Sequence, residues 1–222
     1  MRVAVVDCGT NTVRLLIAEG DAGGGLVELA RDLRFARLGE GVDASGRFRA
    51  DALARLFTAL DDFAVTIADF GVDKVRFVAT SAARDAANAA EMFDGVRVRL
   101  GVDPEIISGI EEAELSFLGA LIGGPLAVGG DILVVDIGGG STELIRGSAS
   151  SAGCAVSYAR QQAGGDSPNW PHNDQGGSVG VITAAISLDV GSVRLLERFL
   201  HHDPPLEGEI AAARRFTGDL LD

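Results

Sequence analysis

Hydrophobic residues fall into short runs punctuated by glycine. Ile132 to Val135 is an apolar run that ends on Asp136; Gly138, Gly139 and Gly140 follow, then Ser141, Thr142 and Glu143, and a second apolar run begins at Leu144. The pattern predicts a strand, a tight turn and a strand. It occurs twice. Val3 to Val6 leads into Asp7, Gly9, Thr10, Asn11 and Thr12, and apolar character resumes at Val13. With Asp7 laid on Asp136 and Gly9 on Gly138, the apolar runs stay in phase, and Thr10, Asn11 and Thr12 fall opposite Gly139, Gly140 and Ser141. So wide a spacing implies two related domains rather than a solenoid, whose repeats are about 20–50 residues long.

Between the copies, a glycine-rich turn at 20–25 precedes a third strand over Leu26 to Arg37, and Asp43 to Gly46 closes a loop. Leu53, Leu56, Phe57, Leu60, Phe63, Ala64, Ile67 and Phe70 recur at helical spacing with Gly71 at the stop, which predicts a core-packing helix. Val75 to Ala79 reads as a short buried strand. Ser81 is the expected N-cap of the next helix, and Asn88 that of another, running to Leu100 and ending at Gly101. Glu105 to Ile107 is a brief strand. Ser108 and Glu111 match a capping box for a helix through Leu115, Leu118 and Leu121, and Gly123-Gly124-Pro125 marks a boundary.

At 222 residues and 47% hydrophobic, the chain can bury a sizeable core and form one large or two small domains. No apolar run approaches the roughly 20 residues of a membrane span, and Asp7 arrives before a secretory segment could form, so the cytoplasm is the expected compartment, with no membrane partner. Cys8 and Cys154 make no disulfide framework. A net charge of −13 argues against nucleic acid as a partner. Lys74 is the only lysine, so positive charge is almost entirely arginine, whose fork suits bidentate phosphate contacts.

Three consecutive glycines leave backbone N–H groups uncovered by side chains, a concavity suited to phosphate. Asp136 would repel that phosphate unless a cation intervened; with Ser141, Thr142 and Glu143 it offers the oxygen ligands that Mg²⁺ takes. A plain hairpin with a glycine-rich turn explains either copy alone; the pair points to two turns gripping one phosphate from both sides. Arg84 sits early in its helix, where the macrodipole disfavours a cation by about 0.3–1 kcal/mol. It either reaches an anion or pairs with Asp85 or Glu91. Glu111 is occupied by the capping box, whereas Glu112 is left either to complement the helix dipole or to act as a general base.

The paired turns, the stretch Ala79-Thr80-Ser81-Ala82-Ala83-Arg84, the stretch Ile107 to Ala113 and Asp136 to Glu143 together resemble the exopolyphosphatase and guanosine pentaphosphate phosphohydrolase family. The resemblance runs from Met1 to about Gly147 and resumes over Ile186 to Leu195. It implies an α/β fold of ribonuclease-H-like domains, as in actin, sugar kinases and chaperone ATPases: a first domain at 1–124 and an incomplete second copy at 125–222, with a cleft between. It also implies Mg²⁺-dependent release of terminal phosphate from inorganic polyphosphate or from guanosine pentaphosphate. By the same resemblance Glu112 is the general base, Asp7 and Asp136 lie on the metal and phosphate turns, Glu143 lies near the metal or attacking water, and Arg84 is the substrate-binding arginine. Gly9, Thr10, Asn11, Thr12, Gly138, Gly139, Gly140, Ser141 and Thr142 are the substrate-binding turn residues.

The chain departs from the family pattern in two places. Residues 148–178, rich in Ser, Gly, Gln and Asn and holding Tyr158, Trp170 and His172, read as a disordered insertion. Residues 209–222 begin a helix short of the family's second-domain end, so an unpaired sheet edge and apolar faces are expected, inviting dimerisation or aggregation. Two other functions fit the same residues: a non-catalytic polyphosphate- or alarmone-binding relative, and a kinase or ATPase of the superfamily. The latter should carry a late Gly-Gly pair, and none follows residue 191.

Overall fold

Alternation along β1 (Arg2–Cys8) buries Ala4, Val6 and Cys8, and along β2 (Thr12–Gly20) it buries Val13, Leu15 and Ile17. These two rows are the floor of the main core. The structure is a computed structural model that describes residues 1–20, 26–123, 130–149, 156–158 and 180–222. It divides into two compact units: unit 1 comprises Met1–Gly109, Ile137–Thr142 and Leu188–Asp222, and unit 2 comprises Ile110–Asp136 and Glu143–Ser187. The grouping is not sequential. Residues 110–123 join the second unit and residues 188–222 the first, whereas a cut at 124/125 puts each on the other side; Gly124 and Pro125 lie outside the described residues.

Unit 1 is built on a five-stranded mixed sheet of order β3-β2-β1-β4-β5, with β3 at Leu26–Phe35, β4 at Lys74–Ala79 and β5 at Glu105–Ile106. β1 runs antiparallel to β2 and parallel to β4; β2 is antiparallel to β3, and β4 parallel to β5. The predicted long helix is α2 (Ala50–Asp69), which lays Leu53, Leu56, Leu60 and Phe63 on the core. Asp43 to Gly46 is not a plain loop. Val42–Ser45 forms a single-turn helix, α1, bounded by Gly41 and Gly46, both in the left-handed region at φ 74° and 64° where a Cβ is disfavoured.

The next helix, α3 (Ser81–Asp85), has Thr80 rather than Ser81 at its N-cap. Asn88 does stand at the N-cap of α4 (Ala89–Leu100), but its side chain does not cap the helix. Its amide spans the Phe48 backbone instead, accepting from the N–H at 2.7 Å and donating to the carbonyl at 3.2 Å, a pairing 40 residues away in sequence. Gly101 ends α4 in the left-handed region with its N–H on the Arg97 carbonyl, as its position predicts.

Two C-terminal helices, α6 (Ser192–Phe199) and α7 (Glu207–Leu221), complete unit 1, and Phe199 meets Phe216 at 5.3 Å between ring centres. Helix α6 is fastened by charge. Asp43 of α1 accepts from both Arg194, at 2.6 Å, and Arg198, and these hydrogen bonds hold its carboxyl below the usual value of 3.8, Arg198 contributing most. The Gly41 N–H donates to Glu197 at 2.9 Å.

Unit 2 packs α5 (Gly109–Gly123) on a four-stranded sheet of order β6-β7-β9-β8, formed by β6 (Asp131–Ile137), β7 (Thr142–Ala149), β9 (Gly180–Leu188) and β8 (Val156–Tyr158). Ala113 and Phe117 of α5 meet Ile145 and Ile182 in a second core. β8 pairs parallel with β9, which places a strand inside the 148–178 stretch expected to be disordered; the greater part of that stretch, with Trp170 and His172, lies outside the described residues. On β6, Ile132 and Val134 pack inward while Leu133, Val135 and Ile137 are exposed. Among the described residues, no helix is long and apolar enough to cross a membrane.

Two expectations follow from the packing. A Cβ on buried Gly147 would lie 2.5 Å from the Phe117 ring and 2.6 Å from the Val181 carbonyl oxygen, so the core ring and the backbone of β9 would have to shift. Gly147→Ala is expected to cost about 1–3 kcal/mol by overpacking, read from the midpoint of urea unfolding. For Asp43, a depressed carboxyl pKa stabilises the fold above about pH 3.8, and that contribution is lost as pH falls through the lower folded value. Asp43→Asn is expected to lower Tm by about 2–4 °C at neutral pH, with the difference closing in acid; an equal loss at both pH values would contradict the pairing.

Candidate functional site

Both repeated turns have a backbone contribution in unit 1, and they close in the same way. The Gly9 N–H donates to the Thr12 carbonyl at 2.9 Å, and the Gly138 N–H donates to the Ser141 carbonyl at 2.9 Å. The hydrogen-bond pattern therefore matches the sequence register that puts Gly9 on Gly138 and Thr12 on Ser141.

The turns touch. A Cβ on Gly139 would sit 3.0 Å from the Thr10 Cβ, and one on Gly140 would sit 2.7 Å from the Thr10 Oγ1 and 2.6 Å from the Ser81 Oγ. Glycine at these positions is thus demanded by contact with the first turn as well as by access to its own backbone. Thr10, Ser81 and Ser141 are buried polar residues at this junction.

Each turn is also braced from outside through its carbonyls. Thr10 and Asn11 accept from the backbone N–H groups of Gly39, at 2.7 Å, and Arg37, at 2.8 Å. Arg37 holds a left-handed φ of 51° to do so, a conformation costing about 1–2 kcal/mol for a residue with a Cβ. At the second turn, Gly138 accepts from the Ser192 N–H at 2.9 Å, and Gly139 from those of Val193 and Arg194 at 2.9 and 3.1 Å. Gly140 accepts from Arg194 Nε at 2.9 Å. Thr142, expected at the substrate, has its hydroxyl donating to the Val190 carbonyl at 2.6 Å.

Arg84 donates from Nη1 to the Ile107 carbonyl at 2.8 Å, while Asp85 receives Arg194 and Glu91 receives Arg47. Asp7, at the end of β1, is half-buried, and its charge adds to the burial that pushes the neighbouring Cys8 thiol far up, leaving that cysteine an uncharged core residue.

Unit 2 carries the other expected carboxylates. Glu112 lies in the first turn of α5, half-buried, and Ser116 stands one helical turn later on the same face. Ser116 donates its hydroxyl to Asp136 Oδ2 at 2.6 Å. The face of α5 that bears Glu112 therefore faces the end of β6 that bears Asp136. Glu143 is only 1% exposed and accepts from the Ser187 hydroxyl at 2.8 Å. Neither Ser116 nor Ser187 was singled out by sequence; for Ser116 its spacing from Glu112 was the available signal.

Among the described residues, no group of three or more His, Cys, Asp or Glu is placed to form a metal cage. Asp136 is exposed and oriented by Ser116, a hard oxygen donor at a strand end. Mg²⁺ is commonly bound by one or two such carboxylates together with substrate phosphates and water, so the donor chemistry fits this ion.

The chain matches the model of the Ppx/GppA phosphatase family over residues 16–222. It is 42% identical to exopolyphosphatase 2 of Mycobacterium tuberculosis over 229 residues, covering 100% of this chain and 62% of that protein. Among solved structures, it resembles an exopolyphosphatase from Cytophaga hutchinsonii, with a TM-score of 0.78 and 28% identity over 100% of this chain and 61% of the other. It also resembles a Ppx/GppA family member from Aquifex aeolicus, with a TM-score of 0.65 and 31% identity, covering 96% and 58% of the two chains. The chain thus spans about 62% of the length of its curated exopolyphosphatase 2 relative. It has the fold of these proteins, and it belongs to the Ppx/GppA phosphatase family.

Proposed function

We propose that the chain is a Mg²⁺-dependent phosphohydrolase that releases terminal phosphate from inorganic polyphosphate in the cytoplasm, with guanosine pentaphosphate as a second substrate. The observation that carries this reading is the pair of identically closed turns, Gly9–Thr12 and Gly138–Ser141, stacked through Thr10. With the carbonyls of Thr10 and Asn11, and those of Gly138, Gly139 and Gly140, engaged from outside, the turns have backbone N–H groups to offer to phosphate oxygens.

In this reading Glu112 takes a proton from the attacking water, with Ser116 and Asp136 fixing the surroundings of its helix face. Asp7 and Asp136 would supply carboxylate oxygens to the metal, and Glu143, anchored by Ser187, would set charge near the metal or the water from a buried position. Arg84, tethered at Ile107, meets the substrate. Bound Mg²⁺ would neutralise phosphate oxygens as charge shifts to the leaving group. Phosphoryl transfer of this kind depends mainly on positioning and electrostatics.

One second reading is a polyphosphate- or alarmone-binding protein without turnover, for which the same pair of turns would suffice. Phosphate release from long-chain polyphosphate separates the two. Release is expected with Mg²⁺, lost on adding EDTA and restored by excess Mg²⁺, and reduced about 10²–10⁴-fold by Glu112→Ala. Polyphosphate binding without release would select the second reading, and undiminished release by the variant would remove Glu112 as the base. A parallel assay with guanosine pentaphosphate ranks the substrates.

A further inference from the structure

Arg194 touches the second turn with one nitrogen and commits the other two elsewhere. Nε donates to the Gly140 carbonyl at 2.9 Å, Nη1 meets Asp43 at 2.6 Å and Nη2 meets Asp85 at 2.7 Å. The side chain is 11% exposed, so it is built into the unit rather than free to reach a ligand. Around it the start of α6 is fully spent: the N–H groups of Ser192, Val193 and Arg194, which at a helix N-terminus are ordinarily available to an anion, go to Gly138 and Gly139 carbonyls. Gly191 permits the approach, since a Cβ there would lie 2.5 Å from the Gly139 carbonyl. The cavity beside Arg194, lined in part by Thr10, Asp43, Ser81 and Asp85, is about 20 Å³, room for about one water and none for a phosphate.

In a trans peptide the carbonyl and the following N–H point in opposite directions. Three successive carbonyls held toward α6 therefore turn the N–H groups of Gly139, Gly140 and Ser141 the other way, and these three donate to no partner among the described residues. The first two peptides are fixed by backbone bonds. The third, between Gly140 and Ser141, is fixed by the Arg194 side chain, and it follows a glycine, whose missing Cβ leaves the peptide free to rotate. A rotated peptide would present a carbonyl oxygen, which repels phosphate.

We infer that Arg194 is a positioning residue: by clamping the Gly140 carbonyl, with Asp43 and Asp85 holding its other nitrogens, it aims the Ser141 N–H into a three-amide site for a terminal phosphate group. The inference rests on the phosphate-site reading of the turn, and its test does not use turnover. The probe is tripolyphosphate, added to ¹⁵N-labelled 222-residue chain while the amide resonances of Gly139, Gly140 and Ser141 are followed. All three are expected to shift and saturate together. In Arg194→Ala the Ser141 amide is expected to lose its response while Gly139 and Gly140 keep theirs, with binding weakened about tenfold because the competent turn is less populated. Arg194→Lys, which keeps the charge but cannot reach all three acceptors at once, is expected to fall between, and it serves if the alanine variant does not fold.

Arg198→Ala is the control, since it removes a partner of Asp43 without touching the turn. Equal weakening by Arg198→Ala and Arg194→Ala would overturn the inference, because a general loosening of α6 would then suffice. Unmoved turn amides in the wild-type chain would also overturn it, whether tripolyphosphate binds elsewhere or not at all. Amides that respond in a chain that releases no phosphate would sink the hydrolase proposal and uphold this one; release with silent amides would do the reverse.

Discussion

A peptide unit cannot point its carbonyl and its N–H to the same side, and in unit 1 that constraint governs both glycine-containing turns. Neighbouring segments take up the carbonyls of Thr10 and Asn11 in the first, through Gly39 and Arg37 after β3, and those of Gly138, Gly139 and Gly140 in the second, through the start of α6 and Arg194. Neighbouring glycines make this possible, since Gly39 packs on Thr10 and Gly191 on Gly139 at distances no side chain tolerates. The remainder of the unit keeps these segments in place. The left-handed φ at Arg37, the single-turn α1 that presents Asp43, and the Gly41 bond to Glu197 all secure the pieces that press on the turns.

Charge reinforces what the backbone begins. Asp43 and Asp85 come from α1 and from the end of α3, and they converge on Arg194 although sequence separates them from it by 151 and 109 residues. Such ion pairs are worth little when exposed. Here the arginine is nearly enclosed, and the geometry it fixes matters more than the energy it contributes. In a chain of net charge −13, this arrangement makes Asp43 and Asp85 anchors for the arginine that braces the second turn.

Unit 2 uses ordinary packing to present its carboxylates. Ala113 and Phe117 bury one face of α5 against Ile145 and Ile182, which directs the adjoining face, with Glu112 and Ser116, toward Asp136. Gly147 lets Phe117 seat directly on β7. Removing a hydroxyl such as that of Ser187 would leave the buried Glu143 short of a donor, so these serines are as much a part of the carboxylate arrangement as the acids themselves.

The sequence alone determined the main strands and helices, the repeat and the family, because each is written in local order. Strand alternation, the helical spacing of Leu53 to Phe63, the glycine stop after Leu100 and the register of Gly9 on Gly138 need only neighbours within a turn or a strand. It also named the acids Asp7, Glu112, Asp136 and Glu143 by their places in the repeat and the family motifs. What it did not disclose depends on distant residues. Asn88 chose Phe48 over its own helix, Thr142 chose Val190, and residues 188–222 joined the first unit rather than the second, through bonds spanning 40, 48 and as many as 156 residues. Arg194 stood in plain sight within a family motif, but its role required Asp43, Asp85 and the Gly140 carbonyl to meet around it. No pattern of period two or 3.6 encodes such a meeting; only the packed chain decides it.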